Sequence, residues 1–231
     1  MLRPRAHWGT MLHPPTTYGR SVLGLPLESW RPTGRCELLL FAGIHGEEPE
    51  TTYALSRALR QLVDRPAHAA VVLAANPDGL IRGTRANARG VDLNRNFPAT
   101  NWRPDPVTSR STIEDPSDVQ LSPGAHAGSE PETQALIALI AELRPDAVIA
   151  LHAPLDCIDD ANASPLGARL AQRTGMPLVR DVGYPTPGSF GSWGAEHGVP
   201  VITYEFPVIA TEDAMRTHVP VLVELLTGTL P

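Results

Sequence analysis

Residues 41–50 read FAGIHGEEPE and join two segments that differ in periodicity. Residues 37–41 form a short apolar run that predicts a buried β-strand, and residues 49–62 repeat apolar side chains at helical spacing. The stretch between them is therefore predicted to be a strand-to-helix turn. A turn at the carboxyl end of a strand is where an open α/β sheet places ligands and chemistry.

Within this turn, His45 and Glu48 are three positions apart. Zinc binds neutral imidazole nitrogen and carboxylate oxygen, and a catalytic zinc site has three protein ligands with one position left for water. The pair is therefore a candidate for two of the ligands. A structural interpretation is also open, because the HxxE pattern is common by chance and a carboxylate before Pro49 suits a helix N-terminus.

The rest of the chain alternates between predicted strands and helices. Residues 16–30 are predicted to form an edge hairpin and 76–79 a turn, whereas 99–128 show no periodicity. Pro220 is expected to kink or divide the last helix. The alternation of strand and helix implies right-handed crossovers and a mostly parallel sheet. The further buried strands are predicted at 69–75, 146–151 and 200–204, and the further helices at 132–143, 164–175 and 211–226.

Two more side chains that could bind a metal or transfer a proton follow predicted strands. His152 comes directly after the strand 146–151, at the same kind of edge as His45, and is the candidate third ligand; a buried core histidine is the alternative. Glu205 follows the strand 200–204 between apolar residues, where a carboxylate is costly to bury unless it is paired. A water molecule on a metal is one such partner.

Three polar stretches are candidates for substrate contacts. Residues 85–98, RANARGVDLNRNFP, concentrate side chains that bind carboxylates and carbonyl oxygens, which suggests an anion site; a solvated loop is the alternative. Residues 182–193, rich in Gly and Pro, are interpreted as a mobile substrate loop. Asp156, Asp159 and Asp160 offer hydrogen-bond acceptors, although a solvated acidic loop is the simpler interpretation.

Composition narrows the class of protein. The formal net charge of −6 gives no basic patch or stripe of the kind that nucleic acid requires, so no nucleic-acid partner is expected. No apolar run is long enough to span a membrane, and residues 1–8 lack the apolar region of a signal peptide, which predicts a cytoplasmic protein. Cys36 and Cys157 are too few for a disulfide framework and are expected to be reduced thiols.

The succession of HGEE, NPDG, GVDLNRNFP, a His after a buried strand and a late Glu in TYEF resembles the zinc carboxypeptidase family, from about Tyr18 to Pro207. Within that family, RANARGVDLNRNFP, GSEPETQAL and YPTPGSFGSW resemble bacterial members that cut murein peptides. The resemblance implies an α/β fold, with one catalytic domain over residues 1–231, three αβα layers and a mixed, mostly parallel, twisted sheet. It also implies a hydrolase with one Zn²⁺ per chain.

The resemblance further implies catalytic roles. Glu205 matches the general base, and Arg85 matches the arginine that polarises the scissile carbonyl, although Arg82 is close enough in sequence to be confused with it. Zinc in such a site lowers the pKa of bound water toward about 7, so that the base can take its proton. The zinc ligands are matched by His45, Glu48 and His152.

Substrate contacts are implied in the same way. Asn94 and Arg95 match the pair that holds the free carboxylate of the substrate, and Tyr184 matches a mobile tyrosine that closes over it. The implied substrate is the murein tripeptide L-Ala-γ-D-Glu-meso-diaminopimelate of peptidoglycan recycling, cut between γ-D-Glu and diaminopimelate. The enzyme is expected to act as a monomer or a homodimer.

Two alternatives stay open. A zinc deacylase of small N-acyl amino acids, of the succinylglutamate or aspartoacylase type, would use the same metal chemistry, but the GVDLNRNFP stretch and the loop around Tyr184 argue against it. A non-catalytic peptide-binding module on the same fold is the second alternative. Glu205 and Arg85 argue against that one, because a module without catalysis has no need of a carboxylate facing the metal.

Overall fold

The computed structural model describes residues 13–110 and 117–230. Residues 1–8, on which the expectation about a signal peptide rests, and part of the predicted loop 99–128 lie outside the described residues. The strands are β1 (Thr16–Arg20), β2 (Pro26–Ser29), β3 (Leu38–Phe41), β4 (Ala69–Val72), β5 (Val107–Arg110), β6 (Asp118–Leu121), β7 (Ala147–His152), β8 (Cys157–Asp159), β9 (Leu178–Val179) and β10 (Val201–Glu205). The helices are α1 (Pro49–Gln61), α2 (Pro77–Arg82), α3 (Pro131–Leu143), α4 (Pro165–Thr174), α5 (Phe190–Glu196) and α6 (Thr211–Thr227).

Six strands form the central sheet in the order β4-β3-β7-β10-β8-β9. The first four run parallel, whereas β8 pairs antiparallel with β10 and β9 is parallel to β8. The central strands β3 and β7 are apolar throughout, apart from the His that ends β7, because both of their faces are covered. The prediction of a mixed, mostly parallel sheet is confirmed.

Two hydrophobic clusters cover the two faces of this sheet, which gives the predicted three layers. One cluster, with Leu40 and Tyr204, packs against α1, α4 and α6. The other, with Leu39 and Phe41, contains side chains of α3 and α5. Neighbouring strand residues fall in different clusters because successive side chains of a strand point to opposite faces. Across residues 13–110 and 117–230, no helix is both long and apolar enough to cross a bilayer.

Two segments that were predicted as irregular contain regular structure. The turn predicted at 76–79 is the beginning of α2, because the Asn76 side chain accepts a hydrogen bond from Gly79 N and Pro77 suits the first helical position. The aperiodic segment 99–128 includes the antiparallel pair of β5 and β6. Both elements are short, which is why their patterns are weak in the sequence.

The predictions for the last third of the chain also need correction. The loop predicted at 182–193 contains the start of α5, whose cap is Ser189, with a side chain that accepts a hydrogen bond from Ser192 N. Pro220 does not divide the last helix, since α6 is one helix with this proline on its exposed side. The buried apolar side chains of α6 hold the helix together across the missing hydrogen bond.

Candidate metal centre and substrate cleft

The turn between β3 and α1 brings His45 and Glu48 to the carboxyl edge of the sheet. Gly46 permits this turn, because a Cβ atom there would lie 2.1 Å from the carbonyl carbon of Gly79. Glu48 precedes α1, but its side chain makes no capping hydrogen bond. Glu48 Oε1 lies 2.7 Å from His45 Nδ1 instead. The Glu48 side chain is therefore directed to His45 and does not cap α1 by a hydrogen bond.

His152 ends β7, the strand between β3 and β10. Its Nδ1 atom lies 3.2 Å from Glu48 Oε2, and its ring centroid is 4.8 Å from that of His45. The three side chains are buried, and one ligand atom from each lies within 4.8 Å of the other two. Two imidazoles and one carboxylate are a donor set of catalytic zinc sites, so these residues fit the metal that the sequence predicts. We call His45, Glu48 and His152 the metal-ligand cluster.

Asp92, a residue that the sequence analysis did not single out, lies behind this cluster. It is fully buried, and its Oδ1 atom is 3.2 Å from His45 Nε2. Burial works against the charged form of Asp92, but Arg85 and His45 hold its pKa well below the usual range. With a metal bound at Nδ1, the proton of His45 would lie on Nε2, from which it would be donated to Asp92. The sequence did contain a signal for Asp92: a carboxylate that is buried within GVDLNRN needs charged or hydrogen-bonding partners.

Arg85 lies beside the metal-ligand cluster, and Arg82 is engaged elsewhere. Arg85 Nε is 3.0 Å from Asp92 Oδ2, and its Nη1 is 3.4 Å from Glu48 Oε1. Arg82 Nη1 donates a hydrogen bond of 2.9 Å to the backbone oxygen of Asp78, within α2. Of the two arginines between which the sequence does not decide, Arg85 is the one that lies beside the metal-ligand cluster.

Glu205 ends β10 and is the register partner of His152 on the neighbouring strand. It is 7% exposed, and it accepts a hydrogen bond of 3.4 Å from Leu155 N. Burial raises the pKa of the Glu205 carboxyl above its ordinary value; the charge of Glu48 adds to this rise, whereas His152 opposes it. A carboxylate with a raised pKa at such a position is suited to accept and return a proton.

The 3₁₀ turn Leu93–Arg95 presents two groups that suit an anion. Asn94 Oδ1 accepts a hydrogen bond of 2.8 Å from Phe190 N, which leaves the amide nitrogen of this side chain as the donor. Arg95 is 6% exposed, and its Nη1 donates to the backbone oxygen of Asn94. Its buried Nε atom has no hydrogen-bond partner among the residues described. This buried guanidinium nitrogen is therefore a donor to which the described residues supply no acceptor.

Tyr184 differs from the other predicted site residues in its exposure, which is 48%. Partial burial and the charge of Glu205 raise the pKa of its phenol, whereas Arg95 and Arg85 lower it, so the side chain lies within the electrostatic field of the site. The loop that carries it is fixed at its far end, where Gly188 O accepts a hydrogen bond from Phe97 N. Tyr184 is thus close to the site but loosely held.

Comparisons with known proteins point to one family. A family model described as zinc carboxypeptidase matches residues 15–156. A protein of Escherichia coli K12 named murein peptide amidase A is 47% identical over 230 residues, which cover 97% of this chain and 94% of that protein. The crystal structure of a murein-tripeptide amidase from E. coli O157 superposes with a TM-score of 0.91 at 45% identity, covering 97% of this chain and 96% of the other. A carboxypeptidase A from Helicoverpa armigera shares the fold, with a TM-score of 0.71 at 18% identity over 92% of this chain and 68% of its own.

Proposed function

The chain belongs to the zinc carboxypeptidase family, and we propose that it is a zinc-dependent amidase that hydrolyses the γ-D-Glu to meso-diaminopimelate bond of murein tripeptide in peptidoglycan recycling. The observation that carries this proposal is the position of Glu205 beside the buried metal-ligand cluster, at the ends of adjacent parallel strands. The similarity to murein peptide amidases over almost the whole chain supports the choice of substrate.

His45, Glu48 and His152 would hold one zinc ion. Such an ion supplies Lewis acidity, which polarises an amide carbonyl and lowers the pKa of water. Glu205 takes a proton from the attacking water and then delivers it to the nitrogen of the leaving amine, which completes the cleavage of the amide bond. Arg85 donates hydrogen bonds to the carbonyl oxygen as negative charge develops there, and its pairing with Asp92 keeps it in position before the reaction begins.

The polar groups on the 3₁₀ turn fix the substrate. The guanidinium of Arg95 and the amide nitrogen of Asn94 bind the free α-carboxylate of the leaving residue, and this contact holds the scissile bond over the cluster. Tyr184 closes over the bound peptide and reduces its exposure to water. We propose one catalytic domain for the chain, because both hydrophobic clusters of the described residues adjoin the same six-stranded sheet that carries the site.

The decisive experiment is an assay of diaminopimelate release from L-Ala-γ-D-Glu-meso-diaminopimelate by the purified protein, with and without a chelator. Chelator-sensitive release is expected, and it should return when zinc is added. The Glu205→Gln variant, with its metal content measured, is the control for contaminating hydrolases. Cleavage of a short N-acyl amino acid in place of the tripeptide would support the deacylase alternative, and absence of turnover by the zinc-loaded protein would support a binding module.

A further inference from the structure

Three aspartates beyond His152 have different environments in the folded chain. Asp160 is a structural residue, since its carboxylate accepts hydrogen bonds from Asn162 N and from both the backbone N and the hydroxyl of Ser164. Asp156 is exposed, and its charge acts on His218 of α6, on the far side of the sheet from the metal-ligand cluster. Asp159 is the member of this set whose role the fold does not account for.

The strand register gives the face on which Asp159 lies. In β8, Cys157 pairs with Glu205 and Asp159 pairs with Thr203 of β10. Residues directly opposite in an antiparallel pair point to the same face, and so do residues two apart in one strand. Asp159 therefore shares its face with Glu205, whereas the intervening Ile158 points into the cluster beneath α4 and α6. The Asp159 carboxylate therefore lies on the face of the sheet that also carries Glu205.

The negative charge of the Asp159 carboxylate is also poorly balanced by its neighbours. Asp159 is partly buried, and no hydrogen bond or ion pair to it occurs within residues 13–110 and 117–230. Desolvation raises the pKa of its carboxyl, the charges of Asp181 and Asp160 add to this rise, and His152 opposes it. An acidic group in such surroundings is costly for the free protein and gains from a cation that enters the cleft.

The buried Nε atom of Arg95 has no hydrogen-bond partner among the described residues, and in the proposed function this guanidinium binds a carboxylate. We propose that Asp159 binds the side-chain ammonium of the leaving amino acid while Arg95 binds its α-carboxylate. This assignment rests on the proposed function and deepens it, because it names the residue that selects a leaving amino acid with a basic side chain. Asp159 would be a specificity-determining residue, without a part in bond cleavage.

The dimensions of the sheet agree with this assignment. Asp159 is two residues along β8 from the register partner of Glu205, which corresponds to about 6.5 Å along the strand. A leaving residue whose scissile nitrogen lies near Glu205 therefore needs an extended stem before its ammonium reaches Asp159. Lysine has a four-carbon stem, and diaminopimelate carries its second amino group at the corresponding position.

Calorimetric titration of the zinc-loaded protein with L-lysine, L-norleucine and meso-diaminopimelate tests the proposal without turnover. Lysine and norleucine share one carbon chain and differ in the ammonium. The Kd of the wild type for lysine and for diaminopimelate should be lower than that for norleucine by a factor of about 10 or more, which is the effect of one charge-assisted hydrogen bond. The Asp159→Asn variant should bind lysine and norleucine alike. Asp156→Asn removes the same charge nearby and should keep the preference.

Turnover of matched tripeptides that end in diaminopimelate, lysine or norleucine separates this proposal from the proposed function. Loss of the preference in Asp159→Asn, together with cleavage of the tripeptides by the wild type, supports both. Cleavage by the wild type without preference would leave the amidase in place and overturn the role of Asp159. A wild type that binds lysine over norleucine but cleaves no tripeptide would overturn the amidase and keep the role of Asp159. Undetectable lysine binding at millimolar concentration, or an unchanged preference in Asp159→Asn, would also overturn the role of Asp159.

Discussion

Around the metal-ligand cluster, buried side chains hold one another in place, whereas Tyr184, which lies in the field of the same charges, is 48% exposed. His45 is fixed from both ring nitrogens, by Glu48 and by Asp92. Tyr184 is carried by a loop rich in Gly and Pro that is held near its far end, at Gly188. Groups that act on the developing charge gain from being oriented in advance, whereas a group that closes on the substrate has to move. The two regions should therefore respond differently to mutation.

Glu205→Gln should have the largest effect on turnover. The amide keeps the volume and the hydrogen bond from Leu155 N but cannot accept the proton, so kcat should fall by about 10² to 10⁴. Zinc content, measured by metal analysis, should remain at the wild-type level because Glu205 is outside the metal-ligand cluster. A wild-type kcat in this variant would show that Glu205 has no part in catalysis. The distinction between the fixed and the mobile region would then be wrong.

Arg85→Ala should follow, with a decrease of about 10² to 10³ in kcat, because a preorganised donor to the carbonyl oxygen is lost. Arg82→Ala is the matched control, since Arg82 bonds to its own helix. Steady-state kinetics of the two variants should show a change in the first and near wild-type values in the second. The reverse result would show that the choice between the two arginines is wrong.

Asp92→Asn should act on the metal more than on the substrate. Loss of the charge behind His45 weakens the orientation of this ligand, and zinc affinity should fall by about 10- to 100-fold in competition with a chromophoric chelator. Asp78→Asn is a suitable control, because Asp78 is equally buried but bonds to Ser21 Oγ and Leu23 N. That control should lower thermal stability and leave zinc affinity unchanged. Equal zinc affinities in both variants would contradict a role of Asp92 in orienting His45.

Tyr184→Phe should have the smallest effect. The ring stays and one exposed hydroxyl is lost, so kcat/KM should change by less than about 10-fold, and the melting temperature should stay the same. Stopped-flow or steady-state kinetics on the tripeptide would measure this. A loss as large as that of Arg85→Ala would mean that Tyr184 belongs to the preorganised part of the site, and the comparison between the two regions would then fail.

The sequence predicted the positions that depend on local rules and missed those that depend on tertiary contacts. His45, Glu48 and His152 were predicted to lie at one edge of the sheet because the ends of buried strands can be read from periodicity. Helix α5 was missed because it contains Gly194, a poor helix former that the fold requires: a Cβ atom there would lie 2.5 Å from Val201 Cγ2.

Asp92 and β8 could not be predicted from the sequence for a related reason. Asp92 acquires its role from His45 and Arg85, which contact it only in the folded chain. Strand β8 has three residues and exists because β10 offers it an edge, so its own sequence carries no periodic signal. For the same reason the sequence could not separate Asp159 from its acidic neighbours, since the face of a three-residue strand follows from its register alone.

The position of β10 between β7 and β8 also determines when the site can form during folding. The hydrogen bond from Ala153 N to Glu48 joins residues 105 positions apart, and that from Leu155 N to Glu205 spans a further 50. Contacts of such long sequence separation carry a high loop-closure entropy and tend to form late. A chain emerging from the ribosome thus exposes HGEE long before Glu205 has been synthesised. In the order of synthesis the three predicted metal ligands thus precede the predicted base, because His152 comes before Glu205 in the chain.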